Sequence, residues 1–246
     1  MNRPYNITKN DWELLNIKYA DNMDYVKEKL EKNYPVQYLI GNVDFYGYDI
    51  KVSEDCLIPR FETEGLVEKT IKLLEKYNMT NTNVLEIGTG SGCIPIVLKS
   101  KLKDLEITSI DISAKAQKIA RQNIKDNNVD INLINVDMKK FNSLSKYGLI
   151  ISNPPYVSRD EEIGPEVKYE PEIALFADND GLEYYEFIIK NYKKYLLDNF
   201  IIAFEIGADQ GFELKKLAKE NYPYAKIVVE KDLSNFDRYL FIINKK

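Results

Sequence analysis

From Asn83 onward the chain alternates apolar strand-like runs with amphipathic helical stretches, and this rhythm constrains the fold more than any other feature. The strand-like runs are 83–87, 106–110, 131–136, 148–152 and 200–206, with helical periodicity near 93–102, 113–127, 183–196 and 210–220. Continuously apolar strands are buried on both faces, and an intervening helix supplies the crossover that parallel pairing requires. The expectation is an α/β fold whose mostly parallel sheet is covered by helices on both sides. Two further β-rich runs, Lys226-Ile227-Val228-Val229-Glu230 and Tyr239-Leu240-Phe241-Ile242-Ile243, close the chain with no helix between them, which argues an antiparallel pair at one edge.

The N-terminal third reads differently. Residues 12–33 carry apolar spacing (Trp12, Leu14, Leu15, Ile17, Val26, Leu30) compatible with two short helices ended by Tyr34-Pro35, and 43–52 alternates at period two around Gly47, as a β-hairpin does. Residues 58–64 then lead into a helical pattern of Leu66, Val67, Ile71 and Leu74. The chain therefore divides into a short helical region at 1–34, a hairpin and linker helix at 35–80, and a main domain at 81–246.

Composition excludes several function classes. No apolar run approaches the roughly 20 residues that span a bilayer, and Met1-Asn2-Arg3-Pro4-Tyr5 lacks the apolar core of a leader, so no membrane association and a cytoplasmic location are expected. Cys56 and Cys93 are too few and too isolated for a disulfide framework or a zinc cluster, and no metal is expected. The chain contains no histidine, which removes the commonest general base and the usual Ser and Cys triads. Its net charge is −5, with 39 acidic against 34 basic side chains, so the electrostatic term that drives nucleic-acid binding has no obvious source.

Two motifs carry chemistry. Asn153-Pro154-Pro155-Tyr156 directly follows the apolar run Leu149-Ile150-Ile151-Ser152 and so sits where a buried strand ends. A planar nitrogen with two N–H groups needs two acceptors. Proline fixes its own φ and holds the preceding residue extended, so the Asn153 side-chain oxygen and the Pro154 carbonyl can converge on such a nitrogen. Tyr156 adds an aromatic face. The second motif, Val84-Leu85-Glu86-Ile87-Gly88-Thr89-Gly90-Ser91-Gly92, is a strand running into a glycine-rich turn. A dinucleotide fingerprint needs glycines at the first, third and sixth positions, but here they fall at the first, third and fifth. Glu86 would repel a pyrophosphate and attract a cationic amino-acid ligand, which points to S-adenosyl-L-methionine. Asp111, at the end of 106–110, can accept ribose hydroxyls or simply cap the following helix. Asp137 and Met138 fall where an adenine would lie, or form a plain turn.

Taken together, these residues resemble the bacterial release factor glutamine methyltransferase family. The resemblance is carried by Pro35-Val36-Gln37-Tyr38-Leu39-Ile40-Gly41, Ile58-Pro59-Arg60-Phe61-Glu62-Thr63-Glu64, the loop at 86–92, Ser152-Asn153-Pro154-Pro155-Tyr156, and Glu170-Pro171-Glu172-Ile173-Ala174-Leu175 leading to Asp180-Gly181-Leu182. It implies a class I S-adenosylmethionine-dependent methyltransferase, Rossmann-like with a seven-stranded sheet, acting on the glutamine of the Gly-Gly-Gln loop in class I peptide chain release factors. The site it implies has Asn153, Pro154, Pro155 and Tyr156 at the catalytic turn. The cofactor lies on Glu86, Gly88, Thr89, Gly90, Ser91, Gly92, Asp111, Asp137 and Met138, with Asn153 shared. Substrate contacts come from Asn153, Pro154, Tyr156, Arg60 and Glu64, although the residues alone leave open that Arg60 and Glu64 pair with each other. Phe61 stands where the family more often has proline, Glu86 where aspartate is common, and Met138 where some members carry an aromatic. The helical region is shorter than the family's.

An acidic stretch of Asp160, Glu161, Glu162, Glu166, Glu170 and Glu172, against Arg159 and Lys168, suits a basic protein partner or is an ordinary solvated loop. Two rivals stand beside this reading. One is methylation of an exocyclic amine of adenine or guanine in DNA or RNA, with Tyr156 stacking on a flipped base. The other is a silent S-adenosylmethionine-binding scaffold, which would have no use for the acceptor turn.

Overall fold

The computed structural model describes residues 7–245; Met1 to Tyr5, read above as lacking a leader core, lie outside the described residues. The chain opens with helices α1 (Lys9–Lys18), α2 (Met23–Glu31) and the five-residue α3 (Val36–Ile40). A hairpin follows, β1 (Asn42–Phe45) and β2 (Tyr48–Lys51), then helix α4 (Phe61–Lys76). The alternating region comprises β3 (Asn83–Ile87), α5 (Cys93–Lys101), β4 (Glu106–Asp111), α6 (Ala114–Asp126), β5 (Asn132–Asn135) and β6 (Tyr147–Ser152). After it come the two-residue strands β7 (Val157–Ser158) and β8 (Phe176–Ala177), then α7 (Glu183–Asn191), β9 (Leu196–Glu205), α8 (Gly211–Asn221), β10 (Lys226–Lys231) and β11 (Asp237–Asn244).

The main sheet has seven strands in the order β10-β11-β9-β6-β3-β4-β5. β9, β6, β3, β4 and β5 pair in parallel, while β11 runs antiparallel to both its neighbours, so the antiparallel edge pair expected from the sequence forms. This is the class I methyltransferase fold. The apolar runs read continuously because alternate residues face different helices. Leu149, Ile151, Ile201 and Ala203 pack with Leu66, Val67 and Leu74 of α4, while Ile150, Ile202 and Phe204 pack with Tyr185, Ile188 and Leu214 of α7 and α8. A separate small core joins Trp12, Leu15, Met23 and Val26 to Leu39, with Val36 and Ile40 against it, so the N-terminal helices and α3 share one apolar cluster.

Several boundaries differ from the sequence reading. α3 and the β7–β8 ladder were not anticipated, because five and two residues carry too little periodicity to read. The helix expected over 183–196 stops at Asn191, and Tyr192–Tyr195 tightens into a 3₁₀ turn. That turn aligns residues three apart. Tyr192 and Tyr195 thereby both donate to carbonyls of the preceding loop, at Met138 and Phe141, each at 2.8 Å. The strand expected at 200–206 begins earlier, at Leu196.

The topology matters for function at one edge. The chain leaves β3 towards β4 and β5, then returns to β6 on the other side of β3, which opens a crevice at the carboxyl ends of the strands. Register places Ile87 beside both Ile110 and Ser152, and Ser152 beside Phe204. Gly88, Asp111, Asn153 and Glu205 therefore emerge side by side along one rim.

Candidate active site

The loop after β3 is shaped by its glycines. Gly88, Gly90 and Gly92 all have positive φ, between 54° and 85°. At Gly92 a side chain would press on Ala120 at 3.2 Å, so this glycine seats α5 against α6. Nothing lies within 4 Å of a side chain built at Gly90, leaving its backbone open to a close-approaching ligand. The Gly90 N–H donates to Asp111 Oδ2 at 2.8 Å, and the Ser113 N–H donates to Asp111 Oδ1 at 2.7 Å. The helix cap itself belongs to Ser113, whose hydroxyl accepts from the Ala116 N–H at 3.1 Å. Asp111 thus ties the loop to α6, and each of its oxygens keeps a free lone pair. Burial raises its carboxyl above the usual aspartate range, opposed by the two N–H bonds.

A cavity of about 260 Å³ runs beneath this loop. Gly88, Thr89, Gly90, Ser91, Asp111, Asp137 and Met138 line it, so most of the residues assigned to a cofactor converge there. Two do not. Gly92 turns its Cα towards α6, and Glu86 is buried in the sheet with Ser109 donating to its Oε2. Ser109 and the Thr89 hydroxyl share a 2.7 Å hydrogen bond, so Glu86 braces the loop through a buried chain. Desolvation holds its carboxyl well above the usual range, opposed by the Ser109 bond. Glu86 was expected at the cofactor, and the structure places it behind the loop, outside the cavity lining.

Asn153 and Pro154 line this cavity and also a second one of about 280 Å³, which holds Tyr156, Arg60, Glu161, Glu162 and Glu205. Pro155 belongs to the first cavity alone. The turn is pinned on both sides. Ser152 Oγ donates to the Ile87 carbonyl at 2.6 Å, and Gln210 Nε2 donates to the Tyr156 carbonyl at 3.1 Å. Gly181, at φ 79°, backs directly onto that carbonyl, where any side chain would collide. Burial pushes the Tyr156 hydroxyl up to about 12, so it stays neutral.

Behind the turn, Asn153 Nδ2 donates to Thr63 Oγ1 at 3.1 Å, and the Thr63 hydroxyl donates to Glu205 Oε2 at 2.7 Å. Burial pushes the Glu205 carboxyl up to about 7, opposed chiefly by the Thr63 bond. Arg60 pairs with buried Glu170, whose second oxygen accepts from the Ile58 N–H at 2.9 Å. Glu64 instead accepts from the Tyr46 N–H at 2.7 Å and anchors the hairpin, so it lines neither cavity and the Arg60–Glu64 pair does not form. Glu170 is thereby removed from the acidic rim, which Glu161 and Glu162 carry at the second cavity.

Residues 63–168 match the methyltransferase small domain family. The release factor glutamine methyltransferase of Streptococcus pneumoniae is 42% identical over 221 residues, covering 88% of this chain and 77% of that protein. The chain belongs to the release factor glutamine methyltransferase family. The protein of the same name from Fusobacterium nucleatum is also 42% identical, covering 89% of this chain but 62% of its own longer sequence. In fold, the chain is similar to the crystal structure of a protein-(glutamine-N5) methyltransferase, release factor-specific, from Alicyclobacillus acidocaldarius. The TM-score is 0.50 at 24% identity, over 80% of this chain and 99% of that one.

Within this family member, the sequence reading missed Thr63, Glu205 and Gln210. Glu205 had a signal: a carboxylate ending the apolar run 200–204, one strand over from Asn153. Thr63 lay inside a quoted motif, but only its helical position three before Leu66 and four before Val67 turns it inward.

Proposed function

We propose that this chain transfers a methyl group from S-adenosylmethionine to the side-chain amide nitrogen of a glutamine, the one in the Gly-Gly-Gln loop of class I peptide chain release factors. The observation that carries the reading is the wall shared by the two cavities. Asn153 and Pro154 face both, and the Asn153 amide nitrogen is turned back onto Thr63, which leaves Oδ1 as its free end.

The first cavity fits the cofactor by its donor set: an open glycine backbone at Gly90, Asp111 with lone pairs to accept hydroxyls, and Met138 as an apolar surface. Bound there, S-adenosylmethionine would supply a methyl group whose bond to a positively charged sulfur breaks as the N–C bond forms, leaving a neutral thioether, and the proton lost by the nitrogen would pass to solvent. An amide nitrogen is a weak nucleophile because its lone pair is delocalised, so orientation must contribute. Asn153 Oδ1 and the Pro154 carbonyl each accept one N–H of the glutamine, fix its nitrogen towards the first cavity and stabilise positive charge as it develops. Tyr156 covers the amide plane. Glu161 and Glu162 give the second cavity an acidic mouth that favours a basic protein loop over a phosphate backbone.

Incubation with methyl-labelled cofactor and separate pools of release factor and nucleic acid tests the proposal. Label on one glutamine of the release factor, located by mass spectrometry, is the expected result. Label in nucleic acid alone would replace it with methylation of a base amine.

A further inference from the structure

An asparagine amide has an acceptor end and a donor end of nearly the same shape, so the acceptor turn works only if something decides which end faces the substrate. Resting on the glutamine methyltransferase reading, we propose that Thr63 and Glu205 form a polarity lock. They hold the Asn153 amide with its oxygen towards the methyl-accepting nitrogen, and protonation of Glu205 releases it. Thr63 also lines the first cavity and Glu205 the second, and both are proposed to act through Asn153, as positioning residues.

An ionised carboxylate can only accept, so the Thr63 hydroxyl spends its single proton on Glu205 Oε2, at 2.7 Å. The hydroxyl then has only lone pairs left for Asn153, and the end of the amide that can satisfy them is Nδ2, which lies 3.1 Å away. Oδ1 must point the other way. A protonated Glu205 becomes a donor to Thr63, which frees the threonine proton for Asn153. The amide then gains by flipping, and the flipped form aims N–H groups at the N–H groups of the substrate.

The fold supplies this arrangement through alternation. Asn153 and Glu205 extend the same face of β6 and β9 as Leu149, Ile151, Ile201 and Ala203, which is the face α4 covers, and Thr63 lies in its first turn. Thr63 and Glu205 are both buried, so water does not compete for these bonds. Glu205 is set close to neutrality, at about 7, mainly by burial, with Glu62 raising it and the Thr63 bond, Arg238 and the Asn153 amide lowering it. Arg238 is itself engaged by Asp232 and the Ile206 carbonyl. Tyr156, Tyr185 and Tyr239 also surround Glu205, their hydroxyls raised by burial and therefore neutral, and Arg60, paired with Glu170, and the Glu161 and Glu162 carboxylates share the second cavity with it.

Single-turnover methyl transfer to a release factor at saturating cofactor, measured from pH 6 to 8.5, tests the lock. The wild-type rate should rise with pH and level off above about 7. At saturating cofactor, Thr63→Val should lower the plateau about tenfold or more and lose that rise, while Thr63→Ser restores both rate and inflection. If Thr63→Val does not fold, Glu205→Gln carries the test, since it keeps the volume and removes the titration: the inflection should vanish. A variant without the Thr63 hydroxyl that keeps the wild-type rate and pH profile would overturn the proposal. A second readout needs no substrate. In protein labelled with ¹⁵N-asparagine, the Asn153 side-chain resonances, assigned by their loss in Asn153→Ala, should titrate together with the Glu205 carboxyl. Resonances that stay fixed through that titration would refute the lock even in a protein that methylates something else. Absence of transfer with titrating resonances would leave the lock standing and refute the substrate.

Discussion

The two sides of the crevice are built by different means. The cofactor side is mostly backbone and near neighbours: the loop from Gly88 to Gly92, the Ile110 carbonyl accepting from the Gly88 N–H at 2.8 Å, and Asp111 bridging loop to helix. The acceptor side gathers side chains from distant parts of the chain, Thr63 from α4, Asn153 after β6, Glu205 from β9 and Gln210 before α8. Two buried glutamates sharpen the contrast. Glu86 is withdrawn into the sheet, where burial raises its carboxyl and Ser109 links it to the loop, while Glu205 lies behind the Asn153 turn with its carboxyl pushed up to about 7. On the proposed reading, the cofactor is met largely by main chain, and the acceptor atom by converging side chains.

The comparison predicts variants that damage one side and spare the other. The largest effect belongs to Asn153→Ala, which removes a preorganised acceptor and should lower the single-turnover rate about a hundredfold or more, on the order of 3 kcal/mol. Unchanged turnover would mean that the turn does not grip the substrate nitrogen. Next is Asp111→Ala, which deletes a charged acceptor and the tether of the Gly90 N–H. Cofactor affinity measured by calorimetry should weaken by roughly 1.5 to 3 kcal/mol with the fold intact. Gly181→Ala forces a side chain against the Tyr156 carbonyl in a backbone conformation that favours glycine. It should cost about 1 to 3 kcal/mol of stability in denaturant titration and displace the acceptor side selectively. Smallest is Phe61→Pro. Phe61 is exposed at the first position of α4, and Arg60 before it is already extended at φ −100° and ψ 151°. Proline there should stabilise by roughly 0.4 to 1 kcal/mol, and a loss of stability would show that the Phe61 N–H or ring is needed.

What could be read from the sequence follows the same division. Strand and helix alternation announced the sheet, and the glycine spacing announced the tight loop after β3, because backbone conformation is written in contiguous residues. Asn153-Pro154 was legible for the same reason, since proline restricts its own neighbourhood. Register was not legible. That Glu205 ends a strand beside Asn153, or that α4 turns Thr63 towards both, depends on strand order and helix placement. Charge was misjudged where burial overrode it. Glu86 reads in one dimension as a charge facing a ligand, but Ser109 and the sheet enclose it away from the cavity and burial raises its carboxyl. Arg60 and Glu64 are four residues apart and suggest a helical pair, but Arg60 lies at the cap and reaches Glu170, 110 residues away.

The most direct measurement pairs two quantities on two variants: cofactor affinity by calorimetry and single-turnover methyl transfer at saturating cofactor, for Asn153→Ala and Asp111→Ala. The account predicts a crossing. Asn153→Ala should bind cofactor nearly as the wild type does and transfer slowly, whereas Asp111→Ala should bind weakly and recover most of its rate once saturated. If both variants lost affinity and rate in the same proportion, cofactor cradle and acceptor turn would be one inseparable unit, and the division of labour between them would be wrong.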